Sequence, residues 1–121
     1  MFEKIKRLFE EKEIYRLPHL SLQDLVVELG TNRSYLSACI NSYSGCNFKQ
    51  FVCRYRIEAS KGLLLHAEMD IQDIMTEVGF NSRSTFYKAF SENVCKDLSP
   101  SDWRQKIIVG ASSIKNKLNY K

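Results

Sequence analysis

No apolar run in this 121-residue chain approaches the roughly 18–20 residues needed to span a bilayer. The opening residues, Met1-Phe2-Glu3-Lys4-Ile5-Lys6-Arg7, lack the apolar stretch of a signal peptide. A cytoplasmic protein with no membrane partner is expected. Histidine is scarce, with only His19 and His66, and neither has an evident nucleophile partner in sequence. Of the four cysteines, Cys39, Cys46 and Cys53 are spaced by seven, unlike the short Cys-x-x-Cys spacing of zinc sites. Together with Cys95 they are expected to be free thiols packed as small hydrophobes. There is no glycine-rich phosphate loop, and no segment alternates with the period of a strand. An enzyme, a metal site and a bound cofactor are all disfavoured, and an all-α chain is expected.

Acidic residues are missing from two intervals. None occurs between Glu28 and Glu58, where Arg33, Lys49, Arg54 and Arg56 fall, and none between Glu77 and Glu92, which hold Arg83 and Lys88. The net charge of +4 says little by itself. Its placement says more, because both intervals have been cleared of the charge that phosphate would repel.

What is present is a repeat. Gln23, Asp24, Glu28, Gly30 and Asn32 recur 49 positions later as Gln72, Asp73, Glu77, Gly79 and Asn81. After one inserted residue Arg33-Ser34 recurs 50 positions on as Arg83-Ser84, and Leu36 and Ile40 pair with Phe86 and Phe90. Each copy has the outline of a helix, a glycine turn and a second helix. Two such units suggest two similar readers of one periodic ligand.

The apolar content of 44% supports a globular core, and helical spacing places the elements. A first helix is expected from 2 to about 15, followed by Pro18. Ser21 caps a second, with Asp24 in the capping-box position. Asn32 or Thr31 caps a third, whose apolar stripe is Tyr35, Leu36, Cys39 and Ile40. A long helix from 48 to about 66 follows, with Phe51, Val52, Tyr55, Ile57, Leu63, Leu64 and Leu65 apolar. Gly62 within it marks close packing or a bend. Asp70 and Ser82 cap the fifth and sixth helices, and Ser99-Pro100 opens a seventh anchored by Trp103. Residues 1–106 are read as one domain, comprising a first subdomain (1–46), the long helix (47–66) and a second subdomain (67–106). Residues 107–121, with Lys115, Lys117 and Lys121, are read as a basic flexible tail, ahead of a further DNA or membrane contact.

In a helix-turn-helix the second helix enters the major groove while the first braces it on the backbone. Leu25, Leu29, Leu36 and Ile40 would pack one unit and Ile74, Val78, Phe86 and Phe90 the other. The long helix, about 28 Å at 1.5 Å per residue, is of the order of the 34 Å turn of B-DNA.

Residues 20–104 resemble the DNA-binding domain of the AraC/XylS family of bacterial transcription regulators. The resemblance rests on Tyr35-Leu36-Ser37, on Arg56-Ile57 with Leu63-Leu64, and on Ile71-x-x-Ile74 followed by Val78-Gly79-Phe80-Asn81-Ser82 and Phe86-x-x-x-Phe90. The closing Ser99-Pro100-Ser101 with Trp103-Arg104 is similar to a motif usually written with Tyr before the Arg. It implies seven helices, as two helix-turn-helix subdomains joined by a long linker helix. It also implies sequence-specific binding of double-stranded operator or promoter DNA, two recognition helices entering successive major-groove segments. Carried over by position, the DNA-facing residues are Asn32, Arg33, Ser34, Ser37, Ala38 and Asn41 in the first recognition helix. In the second they are Ser82, Arg83, Ser84, Thr85, Tyr87 and Lys88.

For Arg56 a structural ion pair or helix-end contact is favoured over DNA. The chain departs from the family in lacking Gly before Pro100, in a connection to the seventh helix about two residues longer, and in Ala38, where members often carry a long polar side chain. The second copy is therefore expected to supply more of the base contacts. RNA polymerase and an upstream sensor domain are the further partners expected of such an activator. The chain reads either as the output domain of a longer regulator or as a small stand-alone one. The alternative function is a helical protein–protein interaction module that keeps the fold without binding DNA.

Overall fold

A computed structural model describes residues 1–66 and 68–119, with side chains over 1–66 and 68–110. Among the described residues there are seven α-helices, one 3₁₀ turn and no strand. The helices are α1 (Phe2–Glu10), α2 (Leu22–Leu29), α3 (Arg33–Ser44), α4 (Phe48–Leu64), α5 (Ile71–Glu77), α6 (Arg83–Asn93) and α7 (Pro100–Asn119), with the 3₁₀ turn at Ile14–Arg16. The chain divides into two compact units, Met1–Arg56 and Ile57–Lys121, and the division falls inside α4.

In the first unit α1 is shorter than its periodicity suggests. Glu13 adopts a left-handed backbone with φ 50°, which no α-helix continues through. Its carboxylate accepts from Arg16 Nε at 2.6 Å and from the Tyr15 hydroxyl at 3.1 Å. The hydrogen bond from Arg16, then that from Tyr15, holds the carboxyl below its ordinary pKa. Ser21 and Asp24 form the reciprocal capping box: Ser21 Oγ accepts from Asp24 N–H at 3.2 Å and Asp24 Oδ2 from Ser21 N–H at 2.8 Å. A second box, which the sequence reading passes over, starts α4. There Asn47 Oδ1 accepts from Gln50 N–H at 2.8 Å, and Gln50 Oε1 accepts from Asn47 N–H at 3.0 Å.

The first core buries Ile5 and Phe9 of α1 against Leu25, Leu36, Ile40, Phe51 and Val52. Phe9, Phe51 and Tyr55 form an aromatic triangle with centroids 4.9–5.1 Å apart. The Tyr55 hydroxyl donates to Glu10 Oε2 at 2.8 Å, and burial together with that carboxylate raises the phenol well above its ordinary pKa.

The second unit repeats the plan with larger rings. Ile57, Leu64, Ile74, Met75, Val78, Phe80, Phe86, Ala89 and Phe90 are buried. Phe90 meets Trp103 of α7 edge-on at 5.8 Å. Ser60, fully buried, satisfies its hydroxyl by donating to the Ile57 carbonyl at 2.7 Å. A methyl group at Gly62 would meet nothing within 4 Å, so close packing does not explain that glycine. Leu65, expected in the core, is 55% exposed, because α4 ends at Leu64 and the stripe ends with it.

α7 runs on to Asn119 and so takes in residues that read as a tail. Gly110 costs a helix only about 1 kcal/mol, and Lys-Ile-Ile-Val before it carries no stop signal. The side chains of Lys115 and Lys117, and Lys121 altogether, lie outside the described residues.

Gly30 ends α2 at φ 63°, and a Cβ there would touch nothing. Its requirement is therefore conformational rather than steric. Left-handed backbone costs an L side chain about 1–2 kcal/mol, of which reduced unfolded-state entropy returns about 0.4–1 kcal/mol. Gly30→Ala is accordingly expected to destabilise the chain by about 1 kcal/mol in urea unfolding, with Gly30→Asn closer to wild type. An alanine midpoint equal to that of wild type would contradict this.

Candidate nucleic-acid interface

Each copy is built outward from its buried face. α2 packs on α3 through the Gly30 turn, and Leu36, Cys39 and Ile40 fix the inner side of α3. Asn32 caps α3, its Oδ1 accepting from Tyr35 N–H at 2.9 Å. Asn32, Arg33, Ser34, Ala38 and Asn41 are then exposed and Ser37 half-buried. Asn41 lies along its own helix, donating from Nδ2 to the Ser37 carbonyl at 3.1 Å. Arg33 leans back toward α2, where Nη1 makes a long 3.4 Å contact with Gln23 Oε1.

In the second copy α5 packs on α6, and Gly79 takes φ 104° in the turn. Ser82 caps α6: its Oγ accepts from Thr85 N–H at 3.2 Å while its hydroxyl donates to Thr85 Oγ1 at 2.8 Å. Phe86, Ala89 and Phe90 are buried, leaving Arg83, Ser84, Thr85 and Lys88 exposed and Ser82 and Tyr87 half-buried. The Arg83 guanidinium lies 5.7 Å from the centroid of the Tyr87 ring, a cation–π pair one helical turn apart. Tyr87 is itself set edge-on to the buried Phe86 at 5.9 Å. A packed ring thus supports a half-buried ring, which supports the cation.

The acid-free intervals need a sharper reading than their residue counts give. Arg54 donates from Nη1 to the Ser44 carbonyl at 3.0 Å and so caps the end of α3. Arg56 is nearly buried, and it donates from Nε to the Tyr15 carbonyl at 2.7 Å and from Nη2 to the Leu17 carbonyl at 2.8 Å. Burial lowers the pKa of this guanidinium. Its partners are turn carbonyls, in keeping with a helix-end role. Two of the four bases in the first interval therefore serve the backbone, while Arg33 and Lys49 remain exposed.

Tyr35 departs from its expected place. Rather than joining the apolar stripe it is 53% exposed, beside Arg33 and Ser34 in the first turn of α3. The stripe narrows to Leu36, Cys39 and Ile40, which share an arc of about 100°, whereas Tyr35 lies about 140° from Ile40 and off that arc. Helical phase counted from Leu36 is the signal that could have found it.

Residues 25–106 match the family model described as a helix-turn-helix domain. The chain belongs to the AraC-type helix-turn-helix family of bacterial transcription regulators. This AraC-type chain thus carries a DNA-binding domain, in a family that is not enzymatic. It is 27% identical over 104 residues to the regulatory protein PocR of Salmonella typhimurium, covering 86% of this chain and 34% of that protein. It is 31% identical over 88 residues to the Msm operon regulatory protein of Streptococcus mutans, covering 73% and 31% respectively. The chain thus spans about a third of the length of these relatives. Among solved structures it is similar to the C-terminal domain of AraT, a response regulator from Geobacillus stearothermophilus. That likeness has a TM-score of 0.72 and 25% identity over 84% of each chain. Among the described residues no helix is long and apolar enough to cross a membrane, and no group of His, Cys, Asp or Glu is placed to hold a metal ion.

The exposure of Tyr35 has a direct consequence for stability. Tyr35→Ala should cost less than about 1 kcal/mol, whereas Phe86→Ala in the second core should cost about 3–5 kcal/mol. Thermal or urea unfolding of the two variants checks this, and equal large losses would return Tyr35 to the core.

Proposed function

We propose that α3 and α6 are two recognition helices that read successive major-groove segments of one operator. The observation that carries this reading is the duplicated, capped outer face presented by each helix, free of acids throughout α3 and over residues 83–91 of α6. On α3 the DNA-facing residues are Asn32, Arg33, Ser34, Ser37, Ala38 and Asn41, joined by the exposed Tyr35. On α6 they are Ser82, Arg83, Ser84, Thr85, Tyr87 and Lys88. Exposure of these side chains, together with the buried rows beneath them, supports the assignment. Phosphate contacts supply most of the affinity and base contacts the specificity.

The two faces differ in what they offer. α6 presents Arg83 and Lys88, both able to donate to guanine O6 and N7, and Tyr87 for a thymine methyl or a phosphate. α3 presents Arg33 among short side chains, one of which, Asn41, leans on its own helix. The α6 half therefore supplies more of the discrimination.

For the longer protein we propose a transcription activator of the cytoplasm, with a sensor domain and contact with RNA polymerase. Coverage of about a third of each relative supports the further domain of this reading.

In vitro selection of binding sites tests the proposal directly. A two-part site is expected, with log affinity falling by about 0.9 per phosphate contact for each unit of log salt. Inserting half a helical turn between the parts should abolish their joint use. On the selected site Arg83→Ala should cost about 1–3 kcal/mol and relax discrimination in one half only. Equal binding by that variant at fixed salt would remove Arg83 from the interface.

A further inference from the structure

The duplication reaches beyond the two helix-turn-helix units to a pair of arginines that the binding faces do not use. Arg56 of α4 and Arg104 of α7 each stand on the helix that follows a recognition helix. Arg56 donates from Nε to the Tyr15 carbonyl at 2.7 Å and from Nη2 to the Leu17 carbonyl at 2.8 Å. Arg104 donates from the same two nitrogens to the Leu64 carbonyl at 2.8 Å and the His66 carbonyl at 3.1 Å. Tyr15 to Leu64 and Leu17 to His66 are each 49 positions, the offset of the repeat itself.

The turns they hold are the same turn. Leu17 N–H donates to Ile14 O at 3.1 Å and Leu20 N–H to Leu17 O at 3.2 Å. In the second copy His66 N–H donates to Leu63 O at 3.0 Å and Met69 N–H to His66 O at 3.1 Å. Leu17 O and His66 O thus each accept from both a turn amide and a guanidinium. Each turn runs directly into a cap, Ser21 for α2 and Asp70 for α5.

Each guanidinium therefore ties the helix behind the recognition helix to the point where the chain enters the helix ahead of it. Tying those two fixes the tilt of the first helix, which must lie across the phosphate backbone if its partner is to enter the groove. We propose that Arg56 and Arg104 are positioning residues for DNA binding, each setting the pose of its own helix-turn-helix and so governing its own half of the operator. The proposal rests on the two-half reading above. A planar fork can satisfy two carbonyls two residues apart, and an ammonium cannot reproduce that geometry, although it would preserve a phosphate contact.

The test uses Arg56→Lys and Arg104→Lys in the full chain, with the selected operator and a footprint that resolves its halves. Each variant is expected to bind at least about tenfold more weakly. Protection should be lost over the α3 half alone for Arg56→Lys and over the α6 half alone for Arg104→Lys. In the DNA-free protein the amide of Leu20 should exchange about tenfold faster in the first variant, and that of Met69 in the second. Binding within about twofold of wild type would overturn the proposal. So would loss of both halves together by a folded variant, or unchanged exchange of these amides. If Arg56→Lys is unfolded by circular dichroism, the half-buried Arg104 carries the test by itself. Unfolding of both variants would reduce the pair to a purely structural role. The two-half reading fails separately, in wild type, if no site or only one half is protected.

Discussion

Burial of a short apolar row on each recognition helix is the constraint on which everything else depends. Leu36 and Ile40 in α3, and Phe86 and Phe90 in α6, have no measurable exposure. With one side of each helix locked at close-packed density, rotation about the helix axis would open voids and strand those side chains in water. The outward residues inherit that fixity without making contacts of their own. A polar face of serines and threonines, which has little means of ordering itself, is thereby held in register by what lies beneath it.

Around these rows the two copies use different materials for the same frame. The first core is closed by an α1 helix and an aromatic triangle of Phe9, Phe51 and Tyr55. The second is closed by Phe80, Phe86, Phe90 and Trp103. Charge follows the same division of labour. Arg54 and Arg56 are directed at carbonyls, where a guanidinium's geometry matters more than its sign, whereas Arg83 and Lys88 stay at the surface. Counting basic residues in an interval therefore overstates the charge available to a phosphate chain.

Local signals were legible in the sequence and long-range ones were not. Ser21 with Asp24, Asn32, Gly30 and Ser82 act within three or four residues of themselves, so a string of residues contains the whole of each interaction. The seven helices and the two glycine turns follow from these and from apolar spacing. The carbonyls to which Arg56 and Arg104 donate lie about forty residues away and are backbone atoms, identical at every position. No residue type announces them. The early end of α1 was hidden because the left-handed Glu13 is an unusual choice for that backbone, held by its neighbours rather than by its own preference. Tyr35 was misplaced by one step of helical phase, and apolar spacing alone is coarse at that scale. The end of α7 reads as a basic tail because small and charged residues there carry little apolar periodicity to mark a helix.

The guanidinium of Arg83 resting on Tyr87 bears on how such a face changes over time. A long flexible side chain ordinarily surrenders rotamer freedom when it engages a partner, and here the ring favours one resting place for the guanidinium by about 0.5–1 kcal/mol. That preference belongs to two positions jointly. Replacing the arginine leaves the outer side of the Tyr87 ring uncovered, and replacing the tyrosine leaves a cation with no rest. On the proposed reading of this face, a change of operator is expected to exchange both residues, so that its smallest step is a pair.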